Sequence, residues 1–195
     1  MHMKWVERLA RFMAILGGAV LIALIIIVTI SVIGRGLNTF GHSAFITNWS
    51  QAASDAFLAT GVGPILGDFE LVEMGVAFAV FAFLPVCQYF GMHATVDVFT
   101  TMLGPRANRW IAAVWEIALT AIIILITARL FAGLQNKYAY GETTFLLQMP
   151  VWWSYAASFA AAVVASIVAL YCAIMRLAEA ITGATYLPTP MGADH

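Results

Sequence analysis

Charge is the scarcest commodity in this sequence. Asp, Glu, Lys and Arg make up 10% of its 195 residues, against about 25% in an ordinary soluble domain. Hydrophobic residues reach 63%, where roughly 45–50% is usual, so much of the surface needs a solvent other than water. The nine Lys and Arg nearly cancel the ten Asp and Glu, so net charge says nothing about nucleic acid; no nucleic-acid partner is expected. There are two cysteines, Cys87 and Cys172, both within apolar runs. They form neither a CxxC pair nor a disulfide framework and read as small buried thiols. HExxH is absent too, and the histidines His2, His42, His93 and His195 lie at ends or in loops, so neither zinc nor a haem held within the spans is expected. No repeat, linker or low-complexity segment interrupts the chain, and a second soluble domain has no room.

What the sequence does have is long apolar runs, and about 18 or more such residues mark a transmembrane helix. Phe12–Ile33 and Val151–Met175 contain no charge; Met74–Met92 is uncharged and carries Pro85; Trp110–Ala128 is interrupted only by Glu116. These patterns predict an all-α integral membrane protein with four transmembrane helices, over about 12–33, 70–92, 108–132 and 151–175, forming a single membrane domain. Lys4, Arg8 and Arg11 precede the first run as in a secretory signal, but the run is too long and lacks a small-residue cleavage site, so a retained first helix is expected. The same three, with Arg106, Arg109 and Arg176, flank one side of the predicted bundle; Arg35 and Lys137 flank the other, and Arg129 lies inside the third span. The positive-inside rule then places both termini in the cytoplasm.

Short amphipathic helices are predicted between the spans. In the outer loop, about 37–67, Phe45, Trp49, Ala52, Ala53, Ala56 and Phe57 fall at helical spacing, with Asn48, Gln51, Ser54 and Asp55 between them. That is either a helix on the outer interface or a covered loop helix. Gly61, Gly63, Pro64 and Gly67 break it. On the inner side, over about 93–104, Val96, Phe99, Met102 and Leu103 oppose Asp97, Thr100 and Thr101 before Gly104-Pro105. In the fourth span Ala157, Ala161, Ala165, Ala169 and Ala173 recur every four residues, beside a row of Ser154, Ser158, Ala162 and Ser166. Small residues at this spacing let two helix backbones approach closely.

Few residues are candidates for chemistry. His93 and Asp97 share a helix face at i, i+4, but zinc needs three or four protein ligands. The plainer reading puts His93 at the headgroup level and Asp97 near the start of the interface helix, where its charge suits the dipole. Charges at membrane depth are costly and need partners. Glu70 and Glu73, one turn apart, are expected to offer an ion pair to Arg35, and Arg129 is an alternative partner for Glu73. Glu116 lies more than a turn inside the third span and nearly 20 Å from Arg129, so it must find a partner on another helix, face water or stay protonated. Pro150 is expected in the first turn of the fourth helix, followed by an aromatic belt of Trp152, Trp153 and Tyr155.

Four of these elements, in this order, carry a resemblance: Ser31-Val32-Ile33-Gly34-Arg35 after the first span, Phe69-Glu70-Leu71-Val72-Glu73 opening the second, His93…Val96-Asp97 after it, and Gly141…Thr144…Leu147-Gln148-Met149-Pro150-Val151-Trp152 before the fourth. From about Arg8 to Arg176 the chain resembles the small membrane subunit, the DctQ-like or Q component, of TRAP (tripartite ATP-independent periplasmic) transporters. The outer loop is longer than is usual in such subunits, and Glu116 matches no family motif. The resemblance implies a scaffold without catalytic chemistry or cofactor, seated in the bacterial or archaeal inner membrane. It would hold a large M-type subunit that carries the substrate and sodium sites, while a periplasmic solute-binding protein delivers the solute, often an organic acid. Its candidate structural or subunit-interface residues are Arg35, Glu70, Glu73, His93, Asp97, Glu116, Arg129, Ala157, Ala161 and Ala165. Two other classes remain open: a membrane redox or enzyme anchor, and a stand-alone channel or proton-coupled carrier resting on Glu116. The chain lacks the internal repeat and the Gly/Pro-broken helix pairs with which a secondary transporter builds its own midplane site.

Overall fold

A computed structural model describes residues 4–92 and 104–188. The described residues form six helices: α1 (Lys4–Gly41), α2 (Ala44–Trp49), α3 (Gln51–Leu58), α4 (Asp68–Phe90), α5 (Pro105–Tyr140) and α6 (Trp152–Thr182). α1, α4, α5 and α6 are each long and apolar enough to cross a membrane. With 38 and 36 residues, α1 and α5 measure about 57 and 54 Å, well beyond a hydrocarbon core of about 30 Å. Both therefore extend past the runs that announce them, because nothing in the flanking sequence breaks a helix before the glycines at their ends.

Those ends are set by glycine. Gly91, Gly141 and Gly183 follow α4, α5 and α6 in the left-handed conformation, with φ of 61°, 62° and 76°. The Gly183 N–H donates to the Glu179 carbonyl and thereby satisfies one orphan acceptor of the last turn. α5 opens on Pro105, whose missing N–H costs nothing there. α6 departs from expectation: it starts at Trp152, and Pro150 stands before it, in an antiparallel bridge with Thr143. The predicted loop helix is in fact two, α2 and α3, separated at Ser50, whose backbone is extended. Its polar face differs as well. Ser54 is buried and donates from Oγ to the Gly41 carbonyl at 2.9 Å, whereas Phe45 is 76% exposed. The hydroxyl caps an otherwise free carbonyl at the end of α1, and that outweighs its polarity.

The spans lie in the order α1, α4, α6, α5: α1 packs on α4, α4 on α6, and α6 on α5. One end of the molecule carries residues 42–67 and 141–151, here the loop end. The other carries the start of α1 and the segment after α6, here the terminal end. α6, with neighbours on two sides, is the most buried span. Its alanine row makes this possible. Ala161 packs with Met13 and Ala82, and Ala165 and Ala169 pack with Ile123. The parallel row adds polar links to α5: Thr127 Oγ1 bonds the Ala162 carbonyl at 3.3 Å and Ser166 Oγ at 2.9 Å, and Thr120 Oγ1 donates to the Ala169 carbonyl at 3.1 Å. A third cluster, at the terminal end, joins Val6, Ala10, Tyr89, Val168, Cys172 and Leu187.

Candidate functional site: polar clusters at the helix ends

At the loop end Ser31, fully buried in α1, organises the contact with α4. Its Oγ donates to Asp68 Oδ2 at 2.6 Å and accepts the Ile65 N–H at 3.1 Å. Arg35, one turn further along α1, reaches the same Asp68 oxygen at 3.6 Å. The expected pairing of Arg35 with Glu70 or Glu73 is thus corrected to Asp68. The helix wheel gives the reason: at about 100° per residue, Glu70 and Glu73 stand roughly 200° and 140° around α4 from Asp68, away from α1. Close approach of backbone completes this corner, since a Cβ on Gly34 would lie 2.1 Å from the Gly63 carbonyl oxygen.

Glu70 and Glu73 instead face the groove between α5 and α6. Glu70 is 4% exposed, and its two oxygens accept the backbone N–H groups of Leu146 and Leu147 at 2.7 and 2.9 Å. The carboxylate holds the α5–α6 loop across the bundle. That loop is otherwise tied to itself, by Thr144 N to the Met149 carbonyl and Val151 N to the Glu142 carbonyl, both 2.9 Å. Leu147 lies over Gly67, where an added Cβ would come within 2.5 Å of its Cγ. Glu73 and Arg129 are exposed, and neither has an ion pair or hydrogen bond with a described residue, so their expected alternative pairing is not formed.

The terminal end repeats the device. Glu179 is 5% exposed; its Oε1 accepts the N–H groups of Tyr186 and Leu187 at 2.6 and 2.7 Å, and its Oε2 accepts Arg176 at 2.9 Å. Arg176 also donates to the Pro188 carbonyl at 3.3 Å. The segment after α6 is thereby folded back so that Leu187 enters the core beside Val6 and Cys172. Near this end Glu116 finds its partner on another helix, as an acceptor at 2.5 Å from Gln88 Nε2 of α4.

Of the residues singled out in the sequence, Ala161 and Ala165 are inside this chain's own packing, while Ala157 is exposed. His93 and Asp97 lie outside the described residues. Sequence reasoning missed Asp68, Ser31, Gln88 and Glu179. An acid in the first turn of α4 was a usable signal for Asp68. Gln88 has no charge to mark it within its apolar run, although a partner for Glu116 on another helix was expected, and the tail that Glu179 holds has no periodicity. Among the described residues no three His, Cys, Asp or Glu side chains come together as metal ligands.

Asp68, Glu70, Glu116 and Glu179 each accept hydrogen bonds from other parts of the same chain, whereas Glu73 and Arg129 have no partner among the described residues. A family model described as "Tripartite ATP-independent periplasmic transporters, DctQ component" matches residues 55–180. No curated protein and no solved structure gives a significant match.

Proposed function

The chain belongs to the family of DctQ components of TRAP transporters, and on that premise we propose that it is the scaffold that holds a large M-type membrane subunit in place. It is a multi-pass membrane protein from a transporter-component family rather than an enzyme family. In the proposed complex the large subunit imports the solute, an organic acid, driven by an ion gradient, with sodium as the coupling ion. A periplasmic solute-binding protein delivers the solute to the pair. The chain sits in the inner membrane with both termini in the cytoplasm, so that the loop end is periplasmic and Arg8, Arg11, Arg106, Arg109 and Arg176 are on the cytoplasmic side, as the positive-inside rule favours.

The observation that carries this reading is the use, within the chain, of every buried or half-buried acid that bonds across the bundle or holds a loop. Asp68, Glu70, Glu116 and Glu179 are each engaged by a donor of this chain, so these four hold the fold and not a translocated solute. Such a chain holds shape. Because the alanine row from Ala161 to Ala173 is buried within the chain, the outward faces of α1 and α5 are left for the bilayer and the large subunit. Extraction from the native membrane in mild detergent tests the proposal: a larger polytopic subunit is expected at one-to-one stoichiometry, and recovery of the chain alone or with redox proteins would overturn it.

A further inference from the structure

Between α4, α5 and α6, in the half of the molecule toward the loop end, lies a cavity of about 290 Å³. Ligand sites begin at about this size. Its lining changes character along the helices. Glu73 and Tyr155 stand near the starts of α4 and α6, whereas Ala77, Phe81 and Leu130 line the part nearer mid-span. Phe81 follows Glu73 by eight residues, about 12 Å along α4.

Two side chains that line it have unmet needs, and a third stands beside it. Ser158 lines the cavity, is 3% exposed, and its hydroxyl has no hydrogen-bond partner among the described residues. Buried hydroxyls are rarely left so, and one that faces a cavity marks where a polar group of a ligand belongs. Glu73 lines the same cavity, and its carboxylate has no partner among the described residues. Arg129, one position before the lining residue Leu130 and outside the lining itself, is an exposed cation with no partner among the described residues. An acid and a hydroxyl in a space that is apolar toward mid-span, with a base one residue from its lining, describe a zwitterion with a hydrocarbon tail.

We propose that this cavity binds a phospholipid with a primary-amine headgroup. The ammonium sits between Glu73 and Ser158, the phosphate is met by the snorkelling Arg129, and an acyl chain runs along Ala77, Phe81 and Leu130. A primary ammonium offers three donors for the carboxylate and the hydroxyl; a choline headgroup offers none. The four-carbon stem of a lysine from a neighbouring subunit is too short to cover the apolar wall, whereas an acyl chain is long enough. The proposal does not depend on the transport reading.

The test uses the full chain, together with any membrane subunit that accompanies it, reconstituted in nanodiscs of equal parts phosphatidylethanolamine, phosphatidylcholine and phosphatidylglycerol. Native mass spectrometry after gentle release then reads what is retained. One phosphatidylethanolamine per chain is expected, with the other two lipids lost. Glu73→Gln should lower that retention roughly tenfold, since it removes a charge-assisted contact at an exposed position that folding does not need. Asp55→Asn, an exposed acid away from the cavity, should leave it unchanged. Ala77→Phe fills the apolar wall and should lower it as well. Equal retention of the ethanolamine and choline lipids, or a Glu73→Gln variant that binds as before, would overturn the proposal. So would a basic side chain of a co-purified subunit cross-linking to Glu73 with no lipid retained.

Discussion

Glu70 and Glu179 meet the same physical demand at opposite ends of the molecule. A loop that turns back over a bundle leaves N–H groups facing inward, and a carboxylate that accepts two adjacent ones satisfies them at once. Glu179→Ala would orphan the Tyr186 and Leu187 N–H groups and release Leu187 from the core, costing about 2–4 kcal/mol. The expected outcome is a lower thermal midpoint in detergent and new protease cleavage between 183 and 188, read by peptide mapping. At the corner of α1 and α4 the two partners of Asp68 differ in weight. Arg35 is 62% exposed at its side chain, so Arg35→Ala should change stability by less than about 1 kcal/mol. Asp68→Ala, which strands the fully buried Ser31 hydroxyl, should lower the midpoint clearly more. A larger effect from Arg35 would show that the exposed ion pair, and not the buried hydroxyl, holds this corner.

At the scale of helices, close approach matters more than any single bond. Gly34 is the clearest case: a side chain there meets backbone, not a flexible neighbour that can step aside. Gly34→Val should therefore cost about 1–3 kcal/mol and separate α1 from the 61–67 segment, seen as faster hydrogen exchange there. The cross-helix hydroxyl of Thr127 is a weaker link. Thr127→Val is expected to cost only about 0.6 kcal/mol, because in lipid the separated helices find other partners, and a paired melting measurement is enough to check it. The long apolar stretches announced α1, α4, α5 and α6, since hydrophobic length is a local property. The break at Ser50 and the inward turn of Ser54 were not legible, because both answer to the end of α1, 13 residues earlier in the case of Ser54.

For the whole molecule, the row α1, α4, α6, α5 makes α6 the keel and leaves one face of α1 and one of α5 uncovered. Exposed on these edges are Ile22, Ile25 and Ile26 of α1 and Val114, Trp115 and Leu125 of α5. If the chain is a scaffold, liposomes that contain it alone should show no solute or proton flux above empty vesicles, and co-reconstitution with the large subunit should be required. Flux from the isolated chain would return the channel reading, with Glu116 and Gln88 as the first residues to replace.

The sequence by itself determined the class of protein, the number of spans and the family, because each rests on local hydrophobic length and on motifs read in order along the chain. Only the tertiary structure decided the partners. Arg35 meets Asp68 and not the glutamates, Glu116 meets an amide, and the alanine row is buried within the chain from Ala161 to Ala173, because angular position around packed helices, and not distance along the sequence, selects which side chains touch. The Glu70 and Glu179 clasps belong to the same category: a backbone N–H carries no side-chain signature, so the sequence cannot announce that a carboxylate will find two of them.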